Sequence, residues 1–174
     1  MYEADKNREA RQLSPTTEAT EERVAEARKS PEPSKAEWTK AYEVSKDEKT
    51  GAISYSREGE ERIRDDGKQI QTANDPQSIK DGVKLAIEQS KEQGKKFQIA
   101  AQDPEKRQQI WKELVRQDGV KHVKVREHEA KEFESAVHDV VHEKYAMEKE
   151  ARQHEQEKEK EQEKEKEQDH EAEK

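Results

Sequence analysis

The chain has no cysteine, only 5% aromatic residues, and no long apolar run. Without cysteine, a disulfide framework and a thiolate zinc site are both excluded. No stretch reaches the length of a signal-peptide core or a membrane span, so no membrane insertion is expected and the cytoplasm is the default location. Apolar residues make up 27% of the chain and charged residues 45%, so most of it cannot be core. Ordering such a chain throughout would cost more conformational entropy than its apolar burial offsets, which predicts a compact part carried between solvated arms.

The usual signatures of catalysis are missing too. There is no Gly-x-Ser-x-Gly elbow and no glycine-rich loop of the phosphate or dinucleotide type. The strand tyrosines Tyr42 and Tyr55 read as sheet-packing residues. No catalytic residue, cofactor site or metal site is therefore expected.

What remains is an uneven distribution of charge and apolar residues. Residues 128–174 carry 17 acidic against 9 basic side chains, whereas residues 38–127 carry 17 against 19. The acidity belongs to the C-terminal arm, and the central part is slightly positive. Residues 1–37 read as a charged arm, with a short helix over Thr17–Lys29 and a linker at Ser30-Pro31-Glu32-Pro33-Ser34, where two prolines favour extended backbone.

From Trp38 the pattern is that of a compact α/β domain extending to Glu127. Tyr42 and Val44, then Ile53 and Tyr55, alternate with polar residues around Asp47-Glu48-Lys49-Thr50-Gly51, as in a hairpin. Ile63 and Ile70 flank a second turn at Asp65-Asp66-Gly67-Lys68. Two helices follow with the same punctuation. Asp75-Pro76 opens the first, Ile79, Val83, Ala86 and Ile87 share a face, and Gly94 ends it. Asp103-Pro104 opens the second, Ile110, Trp111, Leu114 and Val115 form its apolar stripe, and Gly119 ends it. Each leads into a strand, Phe97–Ala100 and Val120–Arg126. The expected order is ββ(ββ)αβαβ, a small mixed sheet whose last strands pair in parallel through crossovers, with flanking helices.

Residues 128–147 read as an amphipathic helix presenting Phe133, Val137, Val140 and Val141 to the core or to a partner. Residues 148–174 form a Glu/Lys/Gln-rich tail. Its i,i+4 charge pairs are like-signed, as in Glu157 with Glu161, while its i,i+3 pairs are opposite, as in Glu157 with Lys160. A solvated helix or disorder is expected there.

Two groupings invite a functional reading. Lys96, Lys121, His122, Lys124 and Arg126 lie at or along the last two strands, and a basic stripe of that kind can meet phosphates or a protein partner. The bland reading is the solvated side of a charged edge strand. His138-Asp139-Val140-Val141-His142 has the two-histidine spacing of a helical zinc motif. Asp139 is a methylene shorter than the glutamate that motif uses as base, and a third ligand would have to come from the low-complexity tail.

The run Tyr42-Glu43-Val44 through Gly51-Ala52-Ile53-Ser54-Tyr55, followed by Ile63-Arg64-Asp65-Asp66-Gly67-Lys68-Gln69-Ile70, resembles the large polyvalent protein-associated domain, type seven, of TraI-type conjugative relaxases. Ile63, Asp65, Gly67 and Ile70 match that family's F-x-D-x-G-x-x-I/L element, with isoleucine in place of the aromatic residue. The two helices and the strands after them continue the likeness over about 90 residues. The resemblance implies a non-catalytic accessory domain of a relaxase or mobilisation protein. Its implied role is plasmid DNA transfer, through relaxosome or type IV secretion proteins and through single-stranded DNA. The family's nicking chemistry resides in a different domain, so none is implied here. Two alternatives stand beside it: a structural or assembly protein that self-associates or docks through its C-terminal helix, and a metal-dependent hydrolase built on His138 and His142.

Overall fold

The computed structural model describes residues 12–20 and 31–172. They fall into two units, one ending at Ala136 and the other beginning at Val137. In the first, six strands form one sheet: β1 (Ser14–Ala19), β2 (Glu43–Lys46), β3 (Ile53–Arg57), β4 (Glu60–Asp65), β5 (Gln69–Thr72) and β6 (Phe97–Ile99), in the order β2-β3-β4-β5-β1-β6. Helices α1 (Pro76–Gln93) and α2 (Pro104–Arg116) lie between and after the last strands, and α3 (Ala130–Ala172) closes the described chain. The protein is thus of the mixed α/β class.

The two hairpins join into one meander. Gly51, Glu58, Gly59 and Gly67 all have positive φ at the turns, and the Glu58-Gly59 pair (φ 56° and 77°) makes the tight β3–β4 connection. Alternation along the strands separates two faces. Ile53, Tyr55, Ile63, Ile70, Phe97 and Ile99 are buried, whereas the intervening polar residues bond to one another, Ser54 to Glu61 and Gln98 to Glu18. The buried side meets α1 and α2 in one core that includes Trp111 and Leu114.

Three expectations are corrected. First, the compact part does not begin at Trp38. Thr16 and Thr17 sit in β1, paired antiparallel with both β5 and β6, where a helix was expected from Thr17; the remainder of that expected helix, residues 21–29, lies outside the described residues. A strand with almost no large apolar side chains takes an interior place in the sheet, between β5 and β6, because Thr16 and Thr17 are themselves buried. The Thr16 hydroxyl meets the Thr72 hydroxyl at 2.5 Å, and the register shifts between Pro15 and Thr17, so that a proline is accommodated beside a bulge. Second, inserting β1 next to β6 makes every strand pairing antiparallel. The parallel pairing expected of the last strands is confined to one isolated bridge between Phe97 and Val123. Third, Val120–Arg126 is not a strand: residues Val120–His122 form a 3-10 turn and Val123 alone bridges to the sheet.

The Pro31–Ser34 stretch is also tied to the fold. The Ser34 amide donates to the Tyr55 hydroxyl at 3.0 Å, and its side chain donates to Glu88 at 2.7 Å. Trp38, Tyr42 and Tyr55 then form an aromatic corner with centroid separations of 5.2–6.4 Å. Tyr42 donates to the buried Asp81 of α1 at 2.5 Å.

Both helix starts match the sequence reading: Asp75 accepts from the Ser78 amide and Asp103 from the Lys106 amide. Gly94 ends α1 in the left-handed region. At the end of α2 that conformation falls to Asp118 (φ 54°) rather than Gly119. Gly119 serves close packing instead, since a Cβ there would stand 2.4 Å from the Ile87 side chain.

The second unit is the body of α3, helical to Ala172. Opposite charges at i,i+3 and the good helix propensity of Glu, Lys and Gln suffice to keep this solvated tail helical, despite the like charges at i,i+4. Val141, Tyr145 and Met147 are 57%, 66% and 71% exposed. No helix among the described residues is long and apolar enough to cross a membrane.

Candidate nucleic-acid interface

The basic residues singled out in the sequence meet at the free edge of the sheet, but by a route other than a strand face. α1 ends with Lys91 in its last turn, Gly94 turns the chain, and Lys95-Lys96 lead into β6. The 3-10 turn after α2 brings Lys121 and His122 to the same corner, and the Lys124 amide donates to the Phe97 carbonyl at 2.7 Å. Ser90 stitches the two segments together, donating to the Lys95 carbonyl at 2.7 Å and lying 3.3 Å from His122 Nδ1. Lys91, Lys96, Lys121 and Lys124 are exposed around this stitch.

Two of the expected contact residues are committed elsewhere. His122 Nε2 is buried without a partner, and desolvation, reinforced by Lys121 and Lys91, pushes the imidazole pKa down. It is a neutral spacer in this corner near pH 7. Arg126 donates through Nε to Glu129 at 2.7 Å and through its terminal nitrogen to the Ile99 carbonyl at 3.0 Å, so it holds the edge of β6 rather than a ligand. Lys91, absent from the sequence-derived set, joins it. Helical position hid that lysine, because only the turn at Gly94 brings the end of α1 beside β6.

Elsewhere the charged groups serve the fold. Lys106 is 3% exposed, and its Nζ donates to the Ser14 carbonyl (3.0 Å), the Ser14 hydroxyl (2.6 Å) and the Thr72 carbonyl (2.7 Å), clamping β1 to β5. Burial pushes its pKa down to about 8, against the opposing pull of Asp103 and Asp75. A charged ammonium with three acceptors is a staple, and its protons leave no lone pair for the adjacent Ser14 hydroxyl. Asp75 caps α1 and receives Arg62 at 3.2 Å and Arg57 at 3.5 Å.

The residues that carry the relaxase-domain resemblance are structural. Ile63 and Ile70 are buried, and the Asp65 carboxylate accepts from the Gly67 amide at 2.9 Å and from Gln89 of α1 at 2.5 Å. A shallow depression beside that turn, lined by Thr17, Lys68 and Gln89 among others, encloses about 10 Å³, room for roughly one water and not for a small-molecule ligand.

Phe133 packs on Trp111 with ring centroids 5.6 Å apart, whereas Val137, Val140 and Val141 belong to the second unit. Among the described residues, no group of three or more His, Asp or Glu side chains is placed to hold a metal ion. Comparisons with protein-family profiles, curated proteins and solved structures give no match to this chain.

Proposed function

We propose that the folded unit is a non-catalytic binding module of conjugative DNA transfer that meets the phosphate backbone of single-stranded DNA at the β6 corner. The observation that carries this reading is the convergence of Lys91 and Lys96 from one segment with Lys121 and Lys124 from another, around the Ser90 stitch. Cations gathered from distant parts of a chain and held on a rigid scaffold suit a polyanion. The corner has no exposed aromatic residue for base stacking, as Phe97 is fully buried, so the contact is to phosphates and independent of sequence. The resemblance to the relaxase-associated domain supplies the biological setting.

Fluorescence anisotropy of the full-length protein with labelled single-stranded DNA tests this. Binding is expected at low salt, weakening with a log–log slope of about −0.7 per phosphate contact. The Lys121→Glu/Lys124→Glu variant should lose most of it. No binding at low salt would remove the strand contact and leave relaxosome or secretion proteins as the partners.

A second reading, assembly through α3, is favoured by the exposure of Val141, Tyr145 and Met147. Mass measurement in solution, with and without Val141→Glu/Tyr145→Glu, tests it; a monomer in both cases removes self-association.

A further inference from the structure

His138 and His142 stand one turn apart on α3, within the second unit, and both are exposed. Exposed imidazoles on a helix are free to turn into water. These two turn toward each other: their Nε2 atoms are 3.2 Å apart and the ring centroids 4.3 Å, with the planes inclined at 57°. When both rings are neutral, at most one N–H is needed between two such nitrogens, and at least one lone pair points into the gap. Two imidazole ligands of a tetrahedral ion, with bonds of about 2.0–2.1 Å, stand about 3.3 Å apart. The nitrogen–nitrogen separation therefore matches that of two metal ligands, and an ion is seated once the rings turn so that both lone pairs meet it.

We propose that His138 and His142 form a bidentate site for a divalent first-row transition-metal ion of the zinc or nickel kind, bound through both Nε2 atoms with water in its remaining positions. Two nitrogen donors select imidazole-seeking ions over magnesium and calcium, which take oxygen ligands. The site carries no hydrolytic chemistry: the position between the histidines that a zinc protease fills with glutamate is occupied here by Asp139. Its consequence is mechanical. A chelate across one helical turn exists only while that turn is helical, so bound metal stabilises the start of the second unit. The proposal is independent of the nucleic-acid reading.

Isothermal titration of the untagged full-length chain with zinc and with nickel is expected to show one strong site per chain. His138→Gln and His142→Gln should each weaken it by roughly tenfold or more, because one of two protein ligands is lost. His154→Gln, an exposed histidine elsewhere on the helix, should leave it unchanged. Glutamine suits a helix, and circular dichroism checks that each variant stays helical. Zinc should also shift the imidazole NMR signals of His138 and His142 before those of the other histidines. Excess magnesium should not compete. Absence of stoichiometric binding, binding that survives loss of both histidines, or displacement by magnesium, as for an ion held on the glutamate-rich tail, would each overturn the proposal.

Discussion

Arg107 places a terminal nitrogen 2.7 Å from the carboxylate of Glu129, which has no solvent exposure, and Arg126 reaches the same carboxylate through Nε at 2.7 Å. Each arginine also donates to a backbone carbonyl at the end of β6 or just beyond it, Arg126 to Ile99 and Arg107 to Ala101. The carboxylate thus holds two guanidinium groups against the outer edge of the sheet, where the isolated Phe97–Val123 bridge alone would leave carbonyls open. Glu132 extends the network, accepting from Arg107 at 2.9 Å and from Trp111 Nε1 at 3.2 Å.

Breaking this network from its centre should be severe. Glu129→Ala leaves two guanidinium groups facing a buried void, at an expected cost of about 3–5 kcal/mol. Urea denaturation measures it, and a loss below about 1 kcal/mol would show that the arginines find other partners. Glu132→Ala, at a partly exposed position, should cost much less.

Acid should act on the same groups. Burial raises the pKa of Glu129, but hydrogen bonds from Arg126 and Arg107 outweigh it and hold the carboxyl below its ordinary 4.5. Burial likewise raises that of Asp75, and the bonds from Ser78 with the charges of Arg62 and Arg57 bring it below 3.8. Both groups bind fewer protons folded than unfolded as the pH falls through those ordinary values. Their stabilisation is complete above about pH 5 and declines below it. Denaturation midpoints from pH 7 to 3 should show this decline, and Glu129→Gln should flatten it.

Alkali should first stabilise and then destabilise the fold. Lys106 loses its proton near pH 8 when folded and near 10.5 when unfolded, so the unfolded chain binds more protons between these values and stability rises with pH there. Tyr55 is shifted the other way, by burial foremost, from 10.0 to about 12, so its contribution is present below pH 10 and is lost above it. Lys106→Met should abolish the rise between pH 8 and 10 while retaining the fall beyond it. A rise of equal slope in the variant would contradict the assignment.

Close approach of α1 to the sheet leaves no room at Gly82. A Cβ there would stand 2.3 Å from Thr72 Cγ2, in a side chain already held by Thr16. Gly82→Ala is expected to destabilise by about 1–3 kcal/mol, overriding the gain alanine ordinarily gives within a helix. Thermal unfolding of the variant checks the sign.

Local chemistry determined a good part of this protein from sequence alone. An Asp cap followed by proline, an apolar face at helical spacing and the αL turn at Gly94 define α1, and Asp65 with Gly67 defines the β4–β5 turn, because each signal acts within a few residues of itself. The place of β1 was decided only by tertiary structure. Thr16 and Thr17 earn burial from Thr72 and from pairing with β6, which lie more than fifty residues away, and nothing local marks a Ser-Pro-Thr-Thr segment as an interior strand. The candidate interface divides along the same line. Lys96, Lys121 and Lys124 were legible as basic residues of the last segments, although the strand expected to carry the latter two is replaced by a 3-10 turn and one bridge, whereas the loss of Arg126 to Glu129, the neutral His122 and the arrival of Lys91 followed from burial and chain crossing, which depend on long-range packing.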